Sequence, residues 1–373
     1  MPSVAQRELS AGSAEEAGLD AGELAAMTRE LDALPAAHWC GGAVLAAGRG
    51  PYLAVHRATG WAQRWADART PLARPEPMRT GTRFDLASLT KLFTAVAALR
   101  ARECGLLELD APVSRYVPEF GAAGKAAVTV RQLLTHTSGL RPELPFHDGH
   151  GLELLWSQAL LPDRGHRYSD LNLIALQQVV ERVTGTALDV WLHTELTGPL
   201  GMTATGYGPA PGAAATEDQR RPWAKADRGM LRGVVHDENA HALGGVAGHA
   251  GLFSTAADLA VFCRALLDGG RAGAVRVLRE ESVALLLDPP GLGFAVDQPW
   301  FMGELAGRGA AGHTGFTGTS LVLDRATDTF LVLLATTVHP VRPTPPDSGP
   351  RARAATRLAR AVRGPAPVRA SLD

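Results

Sequence analysis

Strand-forming sequence occurs near both ends of this 373-residue chain, and mostly helical sequence separates the two parts. Residues 41–47 and 52–55 flank Gly48-Arg49-Gly50-Pro51, a β-hairpin pattern. Residues 292–296, 319–324 and 329–335 are strand-like and are separated by turns containing Gly and Asp. Residues 13–34 show helical periodicity through Leu19, Leu24, Met27 and Leu31, and a last helix is expected over about 350–362. Strands this far apart bury their apolar faces most simply by pairing in one sheet. The expectation is an α+β fold. Residues 1–80 and 251–373 together form an antiparallel sheet flanked by helices. Residues 81–250 form a mostly helical insertion, and the functional site lies between the two regions.

Composition narrows the function. Apolar residues make up 46% and charged residues 20%, as in ordinary globular proteins. A net charge of −1 gives no basic excess to grip a nucleic-acid backbone. Arg351, Arg353, Arg357, Arg360 and Arg363 alternate with Ala and Leu, which predicts an amphipathic terminal helix with a solvated face. No stretch reaches the roughly 18 uninterrupted apolar residues of a membrane span. The segment from Met1 to Glu8 has no apolar core of a secretory signal, so a cytoplasmic location is expected. Cys40, Cys104 and Cys263 are odd in number and widely spaced, which predicts idle thiols.

Arginine has taken almost every cationic position. The chain has three lysines among 37 Lys and Arg residues, and Lys91 lies three residues after Ser88. A guanidinium stays charged, so a site that must lose a proton cannot use arginine. Lys91 is therefore a candidate base beside a candidate nucleophile. Apolar spacing through Leu89, Leu92, Phe93, Val96 and Leu99 predicts a helix beginning at Ser88, with Lys91 on the same face one turn on. At a helix start, free N–H groups and the positive dipole end favour a developing anion. Serine needs a base to become a nucleophile, and lysine serves only if its pKa falls from about 10.4.

Two further segments complete a pattern: Tyr168-Ser169-Asp170, before a helix, and His313-Thr314-Gly315, opening into a strand. With Ser88-Leu89-Thr90-Lys91, their order resembles the serine β-lactamase and penicillin-binding-protein superfamily, in its class C-like branch (family VIII esterase-like). The phrases at 133–140 and 251–259 resemble the same branch, and the likeness spans about residues 15–362 as one domain. It implies that Ser88 forms an acyl-enzyme and that Lys91 and Tyr168 share the general-base work. It also implies that His313, Thr314 and Gly315 bind substrate, and that the backbone N–H groups of Ser88 and Phe316 form the oxyanion hole. Gly315 suits a strand edge closely approached by a substrate backbone. His136 and Gly139 read as turn residues with a structural role.

The chain departs from the pattern twice. Asp170 stands where the family has Asn, and an ionised Asp only accepts hydrogen bonds. It can receive a substrate amine or hydroxyl, pair with Arg167, or cap the following helix; close to Lys91 it would raise that pKa. His313 replaces a lysine, which removes a permanent charge and argues against efficient β-lactam hydrolysis. The segment 234–249 concentrates His236, Asp237, His241 and His249 in a glycine-rich loop that resembles a bacterial serine-hydrolase subgroup with links to muropeptide breakdown. Its spacing matches no standard zinc signature. His236 and Asp237 are therefore expected in a substrate-selecting wall, with no metal and no organic cofactor. The reading is a serine hydrolase acting on a small-molecule ester, amide or muropeptide. The alternatives are a true β-lactamase, an acyltransferase and a non-catalytic sensor. Partners are expected to exclude nucleic acid and membrane, and the oligomeric state is open.

Overall fold

Pairing between the two chain ends organises the structure, a computed structural model that describes residues 9–163 and 165–367. The segment Met1 to Glu8, read above for a leader, lies outside the described residues. The main sheet has eight strands. They are β1 (Ser10–Ala11), β2 (Gly42–Arg49), β3 (Tyr52–Trp65), β4 (Pro71–Pro77), β5 (Ala295–Val296), β6 (Ala311–Thr314), β7 (Ser320–Asp324) and β8 (Thr329–Ala335). The spatial order is β1-β3-β2-β8-β7-β6-β5, with β4 also on β3. Central β2 pairs antiparallel with β8, in a register that sets Leu45 opposite Leu333 and Ala43 opposite Ala335. Among the described residues, only the short β1 pairs parallel, with β3.

Side chains alternate across a strand. Ala43, Leu45, Ala47, Leu331 and Leu333 therefore bury on one face, with Leu24, Met27, Leu31 and Leu358. Val44, Ala46, Val332 and Leu334 bury on the other, with Leu259 and Phe262. A sheet covered on both faces gives the near-continuous apolar runs seen in the sequence. The outer helices are α1 (Ala21–Ala33) and the C-terminal Gly349–Ala361. Helix α1 is capped by Asp20, whose carboxylate accepts from the Glu23 N–H at 2.8 Å.

The Pro- and Arg-rich segment 71–83 contributes strand β4. It pairs on one side only and irregularly, and an edge is where proline is tolerated in a sheet. The terminal Arg-rich helix is not simply solvated. Arg357 holds Glu23 at 3.0 Å and Glu30 at 2.7 Å on α1. Arg351 is buried and donates to the Gly315 carbonyl at 3.2 Å. The three cysteines are unpaired, with Cys40 and Cys263 buried and Cys104 exposed. Among the described residues, no helix is long and apolar enough to cross a membrane.

Between the sheet's two halves in sequence lie α2 (Thr90–Glu103) and α3 (Asp170–Thr184), while α4 (Ala256–Leu267) covers the inner face of the sheet. Helix α2 is buried almost all round from Thr90 to Leu99, and within that stretch Lys91 is the one charged residue and needs partners.

Candidate active site

The serine is presented by a strained turn. Phe84–Asp85 pairs with Leu252–Ser254, and the chain then turns through Ala87–Leu89, a single 3₁₀ turn, before α2 begins at Thr90. The α-helix thus starts two residues later than the periodicity indicated. Ala87 has φ +47°, a left-handed conformation unfavourable for a residue with a Cβ. The Asp85 carboxylate stabilises the turn by accepting from the Ala87 N–H at 2.8 Å.

Ser88 and Lys91 meet. Lys91 Nζ lies 2.9 Å from Ser88 Oγ and donates to the His249 carbonyl at 3.1 Å. Asp170 Oδ1 is 2.8 Å from the same ammonium, which is fully buried. Burial pushes the Lys91 pKa down, but the Asp170 carboxylate and the Tyr168 hydroxyl push it up by more, leaving it above the ordinary lysine range. This is the reverse of the fall expected of a lysine base, because Asp170 supplies a negative charge beside the ammonium, and it keeps the neutral amine scarce in the free protein. Asp170 thus pairs with Lys91, a partner outside the three roles set out for it, and raises the lysine pKa as expected of a carboxylate at that distance. Arg167 instead faces Asp163 at 3.6 Å, and Ser169 is the N-cap of α3.

Tyr168 sits over Lys91, with the ammonium 5.0 Å from the ring centroid. Burial raises its phenol pKa; hydrogen bonding and charge from Lys91 oppose this without cancelling it. The ring is flanked by His136 at 4.8 Å and His313 at 5.8 Å. His136 anchors the tyrosine segment. Its carbonyl accepts from the Arg167 N–H at 2.8 Å, and its Nδ1 accepts from the Ser169 N–H at 3.1 Å. Thr135-His136-Thr137 lines the cleft, so the segment read as a structural turn is also a wall of the site. The positive φ of His136, +54°, is invisible in the sequence.

The His313-Thr314 pair lies on β6, beside Leu321 and Ser320 of β7. Burial pushes the His313 pKa down to about 4. The loop after β6 is stitched to the serine turn: Thr317 Oγ1 donates to the Asp85 carbonyl at 2.8 Å and Thr319 Oγ1 to the Leu86 carbonyl at 2.9 Å. A Cβ at position 315 would collide with Thr319 Oγ1 and the Leu86 carbonyl. Glycine is therefore required by the protein's own packing, a reason separate from the close substrate approach expected of it.

His236 and Asp237 do not line the cleft among its described residues. The His236 ring is buried against Glu217, with Nε2 2.8 Å from Oε2, and it stacks on Phe316 at 5.6 Å. Asp237 caps a short helix, accepting from the Ala240 N–H at 2.7 Å, and pairs with His249 at 2.9 Å. Burial raises its carboxyl pKa, but His249 overrides this and holds it well below the usual range. Both were expected to touch substrate; both are committed behind the wall. Asp170, Asp237 and His249 do bring potential ligand atoms within 4.8 Å of one another. The Lys91 ammonium is bound within this group, so the cluster's positive charge is the protein's own.

Ser88, Tyr168, His313, Thr314, Gly315 and Phe316 open onto a cleft of about 1330 Å³. Trp39, Phe294, Trp300 and Phe301 give it broad apolar walls.

Known proteins share this architecture. The profile of the family described as Beta-lactamase matches residues 27–356. An Escherichia coli (strain K12) protein named "Putative D-alanyl-D-alanine carboxypeptidase" is 32% identical over 330 residues, covering 76% of each chain. The structure of EstCE1, described as a hydrolase with promiscuous acyltransferase activity, superposes with a TM-score of 0.71 at 22% identity, covering 90% of this chain and 98% of that one. A class C beta lactamase from Rhodobacter sphaeroides gives a TM-score of 0.69 at 21% identity, with the same coverage. The fold is that of β-lactamases and transpeptidases, and the chain belongs to the Beta-lactamase family as a serine hydrolase.

Proposed function

We propose that the protein cleaves an ester or amide through an acyl-enzyme on Ser88. The observation that carries this reading is the 2.9 Å contact between Lys91 Nζ and Ser88 Oγ at the floor of a large cleft. Ser88 Oγ attacks the carbonyl carbon, and its proton passes to Lys91 in the neutral amine form. The Tyr168 hydroxyl lies beside both groups. It passes the proton to the leaving alcohol or amine, and then helps activate the water that releases the acyl group. The N–H groups of Ser88 and Phe316 receive the oxyanion, an interaction of several kcal/mol in comparable sites.

Uncharged His313 and the aromatic walls support substrates without a carboxylate at the T-G box, which ranks an esterase, or a cell-wall-fragment amidase or D-peptidase whose substrate bears no carboxylate there, above a β-lactamase. The name of the E. coli relative favours the peptidase branch, and the breadth of the apolar cleft favours the esterase branch. Room for an acceptor beside the acyl group also supports acyl transfer as a second reading. The test is labelling with a fluorophosphonate and with penicillin, followed by peptide mass spectrometry. The adduct is expected on Ser88 and absent in Ser88→Ala; folded protein that takes up neither reagent would overturn the assignment. Hydrolysis of p-nitrophenyl esters, a chromogenic cephalosporin and D-amino-acid peptides then ranks the substrates. Product partition with an added alcohol measures transfer.

A further inference from the structure

We infer that Glu217, His236 and Arg342 form a strap that aligns the Phe316 backbone N–H with that of Ser88, making these three buried or half-buried side chains positioning residues for oxyanion stabilisation. The inference rests on the serine-hydrolase reading above. Neither Glu217 nor His236 lines the cleft among its described residues, yet both connect its two proposed oxyanion donors. The path can be followed atom by atom. The Asp85 carboxylate accepts from the Ala87 N–H at 2.8 Å, directly before Ser88, and from the His236 N–H at 2.6 Å. His236 Nε2 lies 2.8 Å from Glu217 Oε2. Glu217 takes a two-pronged contact from Arg342, Nε to Oε1 at 2.7 Å and Nη2 to Oε2 at 2.6 Å. The Arg342 guanidinium then lies over the Phe316 ring at 5.2 Å, and the His236 ring lies against it at 5.6 Å.

Phe316 is 54% exposed and cannot be fixed by burial. What fixes its ring is contact with these two groups, and both groups are held by Glu217, with a further contact from Arg342 Nη2 to Glu238 Oε1 at 3.1 Å. Glu217 itself is fully buried, a placement that needs complete pairing to be tolerated. A planar guanidinium suits the task, because it binds a carboxylate through one edge while presenting its face to an aromatic ring. Thr317, the next residue, is tied to the Asp85 carbonyl, so both sides of the loop lead back to the serine turn.

The experiment uses the full chain and the variants Glu217→Gln, Arg342→Met and Arg342→Lys. For each, kcat and KM with p-nitrophenyl butyrate are measured beside the Ki of phenylboronic acid. In that inhibitor Ser88 Oγ adds to boron and gives up its proton to the base. The tetrahedral anion places an oxygen where the oxyanion would form. We expect kcat/KM to fall about 10–100-fold, chiefly through kcat, for Glu217→Gln and Arg342→Met, with Ki rising by the same factor. Arg342→Lys keeps charge but not the planar face, so it should recover only part of the loss. A purely structural role would lower the active fraction and hence kcat, but leave Ki unchanged, and that result overturns the strap, as does unchanged kcat with unchanged Ki. If Glu217→Gln does not fold, Arg342→Met carries the test, since Arg342 is partly exposed. Wild-type protein that neither binds phenylboronic acid nor labels at Ser88 would defeat the serine-hydrolase reading itself, and the strap with it. Normal wild-type behaviour with unresponsive variants would defeat the strap alone.

Discussion

Replacing Asp170 by Asn probes the electrostatics of the site while changing almost no volume. In the native protein one carboxylate oxygen lies 2.8 Å from Lys91 Nζ, and the lysine is fully buried. Burial pushes the Lys91 pKa down, but the carboxylate and Tyr168 outweigh it, so the ammonium is held above its ordinary value. The proposed reacting form contains the neutral amine. Activity should therefore rise with pH through the neutral range, since each pH step of one below the Lys91 pKa reduces the neutral fraction about tenfold. An opposite charge at such distance typically moves a pKa by about 1–3. Asp170→Asn should accordingly move the acid limb of kcat/KM to lower pH by about 1–3. The net gain on that limb is smaller than the gain in neutral amine, because a weaker base is a poorer catalyst. If half the lost basicity is felt in the transition state, activity on the limb rises about threefold for each tenfold gain in neutral amine. The assay is kcat/KM for p-nitrophenyl butyrate from acid to alkaline pH, with folding checked by circular dichroism at each point. An acid limb that stays in place, or moves up, would refute the claim that Asp170 controls Lys91. The same variant restores the family's Tyr-x-Asn pattern and a side-chain amide donor. It should gain measurable turnover of a chromogenic cephalosporin, and absence of any gain would count against the explanation given for that departure.

Other sites give independent checks. Tyr168→Phe should reduce kcat by about 10²–10⁴ if the hydroxyl carries protons, with the melting temperature little changed; a kcat within threefold of wild type would contradict that role. Gly315→Ala should destabilise the protein by about 1–3 kcal/mol through overpacking against Thr319 and the Leu86 carbonyl, read as a lower urea midpoint with loss of ester hydrolysis. His339 offers a pH test remote from the serine. Its Nε2 accepts from the Arg64 and Trp65 N–H groups at 3.1 and 3.3 Å, and burial pushes its pKa down to about 4. The unfolded chain therefore binds a proton that the folded state refuses between about pH 6.5 and pH 4. Stability should fall with acidification across that window, by up to about 1.4 kcal/mol per pH unit from this group. His339→Gln should flatten that slope in urea denaturation, and an unchanged slope would remove His339 as its source.

What the sequence revealed follows from the range of each interaction. Strands β2 and β8 were legible because both faces are buried, and continuous apolar sequence records that directly. Ser88, Lys91, Tyr168 and His313 were legible as motif residues, and the structure brings all four together. Strand β4 was not legible, because an irregular edge strand has no apolar alternation to display. The partner of Asp170 was open because Arg167 was nearer in sequence, whereas Lys91 is nearer in space. His236 looked like a pocket residue because polar residues in glycine-rich loops often face ligands. Its actual partner, Glu217, lies in a strand with no motif of its own. A buried imidazole–carboxylate contact is set by three-dimensional complementarity, and neither member signals the other along the chain.

The two histidines beside Tyr168 show how neutral polar groups can serve where a lysine is usual. His136 Nδ1 accepts from the Ser169 N–H at 3.1 Å, so the proton of the neutral ring must reside on Nε2. Asn172 reinforces this: the Leu140 N–H donates to Ser138 Oγ, which donates to Asn172 Oδ1, leaving Asn172 Nδ2 to donate to His136 Nδ1 at 3.0 Å. His313 has the opposite arrangement, because its Nδ1 faces the Thr314 carbonyl at 2.7 Å and must donate. Its Nε2 is then an acceptor. Burial, with Lys91 adding to it, holds the two pKa values down to about 3 and about 4, so both rings stay neutral through the neutral range. One flank of Tyr168 is thus a donor and the other an acceptor. A substrate carboxylate gains no ion pair from this pair, whereas an uncharged ester or amide can use both a donor and an acceptor. The selectivity proposed for the cleft follows from this assignment of protons. A His313→Lys variant should reverse it, improving acylation by penicillin relative to a neutral ester of similar size. If that ratio does not change, the neutral flanks are not what excludes the carboxylate.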